Sequence, residues 1–327
     1  MRHVAIAVVL LTASAAAEDT SPAANPADTL FVEGLAGGSI RREGAIADLR
    51  LRYRHRLFDS SDAAFRDNYL GAGLITLHSP VFSQNGVYLE LAPASFARLT
   101  AAYQWVAYFG TFNSLRPLSD CADVSTLAAE DPRCAFPAGI TTSENGPSFA
   151  DYGHRAWVEA LLQIQLGPLI AYDSFGVERW SFRSDWAAGP GYEYWFNELH
   201  TVPMHRRDIA LTNSAAVLYE IRSDDEGTRA QILSGVAVDL AYAYHAKYLR
   251  QRVGVVGVYR LPRCGPLRDA AAALLVQWYT HDRYLRGPLP FVGLVFSAST
   301  ANLLRRLALV PEAKARGAMG SSGRHLR

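Results

Sequence analysis

The chain has 327 residues, of which 50% are hydrophobic and only 19% charged, with a formal net charge of +1. Such a composition excludes a disordered chain, which could not bury apolar surface of this extent. The balance of 32 basic against 31 acidic residues leaves no basic footprint, so nucleic acid is not expected as a partner.

In chain order, Arg2 and His3 precede an apolar stretch from Val4 to Leu11, followed by Ala15-Ala16-Ala17 and then Glu18-Asp19. This is the pattern of a secretory signal peptide over residues 1–17, with cleavage expected after Ala17. Residues 18–29 are expected to form an N-terminal periplasmic linker. Beyond them no run approaches the roughly 18 apolar residues of a spanning helix. The longest runs only from Ala270 to Val276.

From residue 30 onward the recurring signal is alternation at period two. In Asp48–Leu57 the charged Asp48, Arg50, Arg52, Arg54 and Arg56 share one strand face, and Leu49, Leu51, Tyr53 and Leu57 share the other. Phe96–Gly110 sets Leu99, Ala101, Tyr103, Trp105 and Phe109 against Arg98, Thr100, Gln104 and Tyr108. Arg155–Leu166 and Ile209–Arg222 repeat the pattern, the second opposing Ile209, Leu211, Val217, Tyr219 and Ile221 to Asp208, Thr212, Ser214, Glu220 and Arg222. Strands of soluble sheets usually run about five or six residues, whereas a tilted membrane strand needs about nine to eleven. Aromatic residues also gather toward the segment ends, as in Trp105, Tyr108 and Phe109, or Trp278 and Tyr279.

On these features the chain resembles the outer-membrane β-barrel proteins of Gram-negative bacteria, at the level of the class and not of one family. The resemblance implies an all-β, transmembrane, antiparallel up-and-down barrel. Strands are expected near 30–40, 45–57, 68–77, 86–92, 96–110, 152–166, 169–182, 208–221, 229–245, 251–261, 268–281 and 288–298, which makes twelve. Ten to fourteen remain compatible with the pattern, the number being even in such barrels. A barrel domain over 30–298 follows. With the first strand running outward, Pro93-Ala94-Ser95 and Gly167-Pro168 become tight periplasmic turns, and 111–151 and 183–207 long outer loops. A thirteenth candidate, Tyr192–Leu199, breaks the parity and is assigned to the outer rim or an extension above the membrane. The terminal strand Phe291–Phe296 resembles the aromatic-ended segment read by the barrel assembly machinery, an implied partner. It departs from that pattern because residues 299–327 follow as a basic tail.

The lumen is expected to be lined by Asp48, Arg50, Arg52, Arg54, Arg56, Glu90, Arg98, Arg155, Glu159, Glu220, Arg222 and Asp239. Mutual pairing of these charges would plug a small barrel, whereas an unbalanced arginine stripe would favour anions in a pore. Cys121 and Cys134 are a disulfide candidate in the loop 111–151, worth about 3 kcal/mol in the chain-entropy picture. No cluster has metal-ligand spacing, and no glycine-rich phosphate loop is present, so neither metal nor cofactor is expected.

Outer-membrane phospholipases also resemble the chain in strand number, and carry a His-x-Ser pair near the outer rim. The nearest local match is His78-Ser79-Pro80-Val81-Phe82-Ser83-Gln84-Asn85-Gly86, which also reads as an ordinary loop and tight turn. His78, Ser79 and Ser83 are therefore the weaker, catalytic alternative. The reading is an outer-membrane barrel of structural or pore/transport type with an arginine-rich lumen and no catalytic centre. Its surroundings would be outer-membrane lipid, with a small solute as possible cargo. The alternatives are a lipid hydrolase and a soluble periplasmic barrel binding lipid or a small ligand, which would need an apolar interior and a charged exterior.

Overall fold

The computed structural model describes residues 27–40, 44–111, 117–118, 150–182, 194–221, 230–261, 267–282, 289–300 and 302–304. The expected signal peptide, Cys121, Cys134 and Arg222, and all of the tail beyond Leu304, lie outside the described residues.

In chain order the strands are β1 (Asp28–Ile40), β2 (Gly44–Arg56), β3 (Tyr69–His78), β4 (Phe82–Ala94), β5 (Ala97–Phe109), β6 (Pro117–Leu118), β7 (Ala150–Leu166), β8 (Leu169–Phe182), β9 (Tyr194–Asn197), β10 (Val202–His205), β11 (Arg207–Ile221), β12 (Gln231–Ala243), β13 (Tyr248–Arg260), β14 (Leu267–His281) and β15 (Phe291–Thr300). Twelve of them close into one antiparallel barrel in sequence order, with β15 paired back onto β1 from Glu33↔Ser299 to Ile40↔Val292. At that seam Asn302 accepts from the Leu30 amide (3.1 Å) and donates to the Asp28 carbonyl (3.3 Å), tying the chain after β15 to the start of β1. The remaining β6, β9 and β10 form a separate sheet in the order β10-β9-β6.

The barrel strands run from 10 to 17 residues, long enough for a tilted crossing with residues to spare. The chain end that precedes β1 lies with the turns 95–96 and 167–168, and the strand ends Phe109, Ala150, Phe182 and Arg207, which bound the two longest connections, lie at the opposite end. Gly167 takes a left-handed φ of 60°, which a two-residue turn between antiparallel strands demands and a side chain would resist.

Alternation makes the barrel inside-out relative to a soluble protein. Outward positions such as Leu49, Leu74, Leu89, Trp105, Leu162 and Val236 are exposed, while inward Arg52, Glu90, Gln104, Asp239 and Arg252 are buried to 5% exposure or less. Outward Tyr53, Tyr219 and Tyr259 lie toward the end that holds the short turns, and Trp105, Phe109 and Trp278 toward the other, as two interfacial girdles would. Polar pairs interrupt the apolar wall in places. Asn213 on β11 donates to Asp173 on β8 (2.5 Å), both pointing outward.

Two expectations are corrected. The fourth strand begins at Phe82, not near residue 86, so Asn85-Gly86 is strand and not a tight turn. The turn itself is confined to residues 79–81, where the Ser79 hydroxyl oxygen accepts from the amides of Val81 (3.2 Å) and Phe82 (3.1 Å). The segment expected on the outer rim folds inward instead: Trp195, Val202 and Met204 are fully buried. Their apolar side chains find cover only inside the mouth, against Ile46, Leu77, Phe82, Val106, Tyr108, Trp180 and Phe182 of the wall.

Candidate functional site: the charged lumen and its two cavities

The first cluster is built by β1 to β4. Register places Arg52 opposite Gly73 and Arg54 opposite Gly71, and those glycines stand opposite Tyr88 and Glu90 on the next strand. With no side chain at Gly71 and Gly73, Arg52 passes over β3 to Glu90 (2.7 and 2.5 Å) and also holds Glu33. A methyl group at Gly73 would lie 2.1 Å from the Leu51 carbonyl oxygen and 2.6 Å from the Tyr88 hydroxyl, so the crossing depends on glycine. Tyr69 donates to the same Glu90, and Arg54 stacks on the Tyr69 ring at 4.1 Å. Arg50 forks onto Asp48 (2.8 Å through Nη2).

A second cluster fastens the inward-folded segment. Arg155 on β7 pairs with Glu178 on β8 (2.5 and 3.0 Å) and donates to Gln84 and Gln104. His200, in the turn between β9 and β10, meets the same Glu178 at 2.8 Å, and Trp180 donates to it as well. Next to it Thr201 holds a left-handed φ of 56°, a costly conformation for a β-branched residue, and accepts from Arg250 at 3.4 Å. Trp195 sits edge-on to Phe182 and Tyr108. The tip of β9 and β10 is thus held by charge and its flanks by aromatic packing.

A third cluster lies across the lumen, where Asp239 accepts from Ser214 (3.0 Å), Arg252 (2.8 Å) and Arg250.

Of the residues expected to line the lumen, Asp48, Arg50, Arg52, Arg54, Arg56, Glu90, Arg98, Arg155, Glu159, Glu220 and Asp239 occupy the inward face of their strands. Sequence reading missed Glu33, Glu178, Arg250 and Arg252. The arginine pair was legible: Tyr248-Leu249-Arg250-Gln251-Arg252-Val253 alternates as β2 does, but placing the strand start at residue 251 split it.

Two cavities are lined by the described residues. One of about 170 Å³ lies beneath the inward turn and reaches Leu199, His200, Arg50, Arg98 and Glu159. The other, of about 200 Å³, opens at the end of the barrel that holds the short turns. It is lined by Arg54, Arg56, Arg66 and Arg98 against a single acid, Asp67, with Thr29, Asn68, Tyr69, Phe96 and Gln163 completing the wall. Burial pushes the Asp67 carboxyl up from its ordinary value, against the pull of Arg54 and Arg66.

The catalytic alternative meets a different geometry. On the outward face the Thr76 hydroxyl donates to Asn85 Oδ1 (2.5 Å) and lies 2.7 Å from His78 Nε2, while Asn85 donates to Ser83 (2.7 Å). Because the Thr76 proton is committed to Asn85, His78 is the donor in its contact. Ser79 is occupied by its turn, and Ser83 by Asn85. Neither serine has the hydrogen bond to a base that activates a nucleophile.

No family model matches this sequence, and no curated protein does. Among solved structures, the chain is similar to the β domain of the Bordetella autotransporter BrkA, at 8% identity and a TM-score of 0.43, over 84% of this chain and 100% of that one. It is also similar to the translocator domain of the autotransporter NalP from Neisseria meningitidis (9% identity, TM-score 0.38, 87% and 92% covered). A KdgM porin in complex with disordered oligogalacturonate matches at 8% identity and a TM-score of 0.35, over 83% of this chain and 98% of that one. At such scores the architecture rests on this chain's own strand pairing.

Proposed function

We propose that the protein spans the outer membrane of a Gram-negative bacterium as a barrel of pore or transport type, with a charged, arginine-rich lumen closed at its outer mouth and no catalytic centre. One observation supports this reading: apolar side chains of the segment 194–205 share one buried cluster with residues of β2, β3, β4, β5, β8, β11, β12 and β13 at the mouth. Orientation follows from loop length, since the long connections of such barrels face outward. The apolar exterior and ion-paired interior are the inverse of what a soluble ligand-binding barrel needs, because lipid tails offer charged groups no hydrogen bonds.

Fractionation followed by gel mobility with and without boiling tests the spanning barrel, and bilayer conductance tests the closure. Outer-membrane recovery, heat-modifiable migration and near-silent membranes are expected of the natural chain. Stepwise conductance is expected once Glu178→Gln and Trp195→Ala loosen the inward segment. Recovery as a soluble protein, or a wide conductance before any substitution, would overturn the proposal.

A further inference from the structure

Among the described residues, Arg54, Arg56 and Arg98 at the periplasmic opening are sparsely paired. Arg56 bonds Asp59 (2.7 Å), a largely exposed partner and hence a weak one. Arg54 reaches Glu90 only at 3.5 Å, and that carboxylate is already held by Arg52 and Tyr69. Arg98 makes no hydrogen bond or ion pair to any described residue, and its Nε is buried without a partner. It lines both cavities, and so stands where the opening meets the lumen proper. A guanidinium left in this position retains donors in a planar fork, matched in shape to the two oxygens of a carboxylate or phosphate.

From this we infer that the 200 Å³ cavity is a binding site for one compact oxyanion, a phosphate or carboxylate group, centred on Arg98 with Arg54, Arg56 and Arg66 around it. Phe96 and Leu161 supply an apolar side on which the organic part of such a molecule rests. Four arginines line the cavity against Asp67, with Glu90 and Asp59 behind Arg54 and Arg56; the remaining positive excess sets the sign of the ligand, and the small volume sets its size. The inference rests on the barrel reading of the chain but not on closure of the mouth.

The test is calorimetric titration of the full, folded chain in non-ionic detergent with inorganic phosphate and, separately, with acetate, at an ionic strength held constant with chloride. At least one is expected to bind once per chain with Kd below about 1 mM, and the stronger of the two names the oxyanion. Arg98→Gln is expected to weaken that binding about tenfold, while Arg179→Gln, on the outward face, leaves it unchanged. Heat-modifiable migration shows that each variant has folded. Should Arg98→Gln fail to fold, Arg66→Gln, in the turn between β2 and β3, is expected to weaken binding several-fold. The site is overturned if neither anion binds to heat-modifiable protein, or if binding survives Arg98→Gln and Arg66→Gln alike. Protein that never becomes heat-modifiable overturns the barrel reading instead.

Discussion

Glycine and arginine act as a pair in the wall of this barrel. Arg52 reaches Glu90 because Gly73 and Gly71 carry no side chain beneath it, and a methyl group at Gly73 must displace both the Leu51 carbonyl and the Tyr88 ring. Gly73→Ala is therefore expected to destabilise the fold by about 1 to 3 kcal/mol, the usual cost of overpacking, read from urea unfolding in detergent. Arg155→Ala removes the charge that holds a buried Glu178 and should cost about 3 to 5 kcal/mol in the same assay. The outward Asp173 and Asn213 give the opposite sign. Replacing both with leucine should stabilise the lipid-facing wall by about 1 to 2 kcal/mol, and destabilisation would mean that this patch does not face hydrocarbon. At the opening, Asp67→Asn deletes the one acid in the cavity lining, and several-fold tighter anion binding in the calorimeter is expected. Residue identity on an inward face was legible from alternation alone, as with Arg50 and Arg155. Which arginine meets which carboxylate was not, because Arg52 and Glu90 are joined across a strand that belongs to neither.

Among the elements, β9 and β10 behave differently from the strands that bear the barrel. Four residues long each, they are too short to span and too apolar to stand in water. Trp195, Val202 and Met204 would expose their surface above the membrane, and burying them in the mouth recovers a hydrophobic contribution of about 1.5 to 3 kcal/mol for each large side chain. The left-handed Thr201 and the contact of His200 with Glu178 sit at the tip of this element. Trp195→Ala should accordingly raise the frequency of open events in bilayer recordings far more than it lowers the temperature of unfolding. The sequence marks this segment as an extra strand-like stretch that parity expels from the barrel. Parity leaves open whether the expelled stretch lies above the mouth or within it, since both leave the strand number even.

For the whole molecule, the sequence by itself determined the architecture. Long alternating strands, twelve in number, with the two-residue turns on one side and the two longest loops on the other, follow from a local period of two and from the even count that an up-and-down barrel with both termini on one side requires. The inside-out distribution is equally local, for once a strand is amphipathic and spans a bilayer, its apolar face has one place to go. Tertiary structure alone decided what fills the interior. Closure of the sheet brings Arg250 and Arg252 to Asp239, lays Arg155 beside Glu178 and His200, and leaves Arg98 at a cavity with no hydrogen-bond partner among the described residues. Each of these outcomes depends on register between strands and on the barrel's curvature. Pairing across a lumen is a property of the closed ring, in which residues distant in the chain compete for the same few ångströms, and no period along a single strand records who wins.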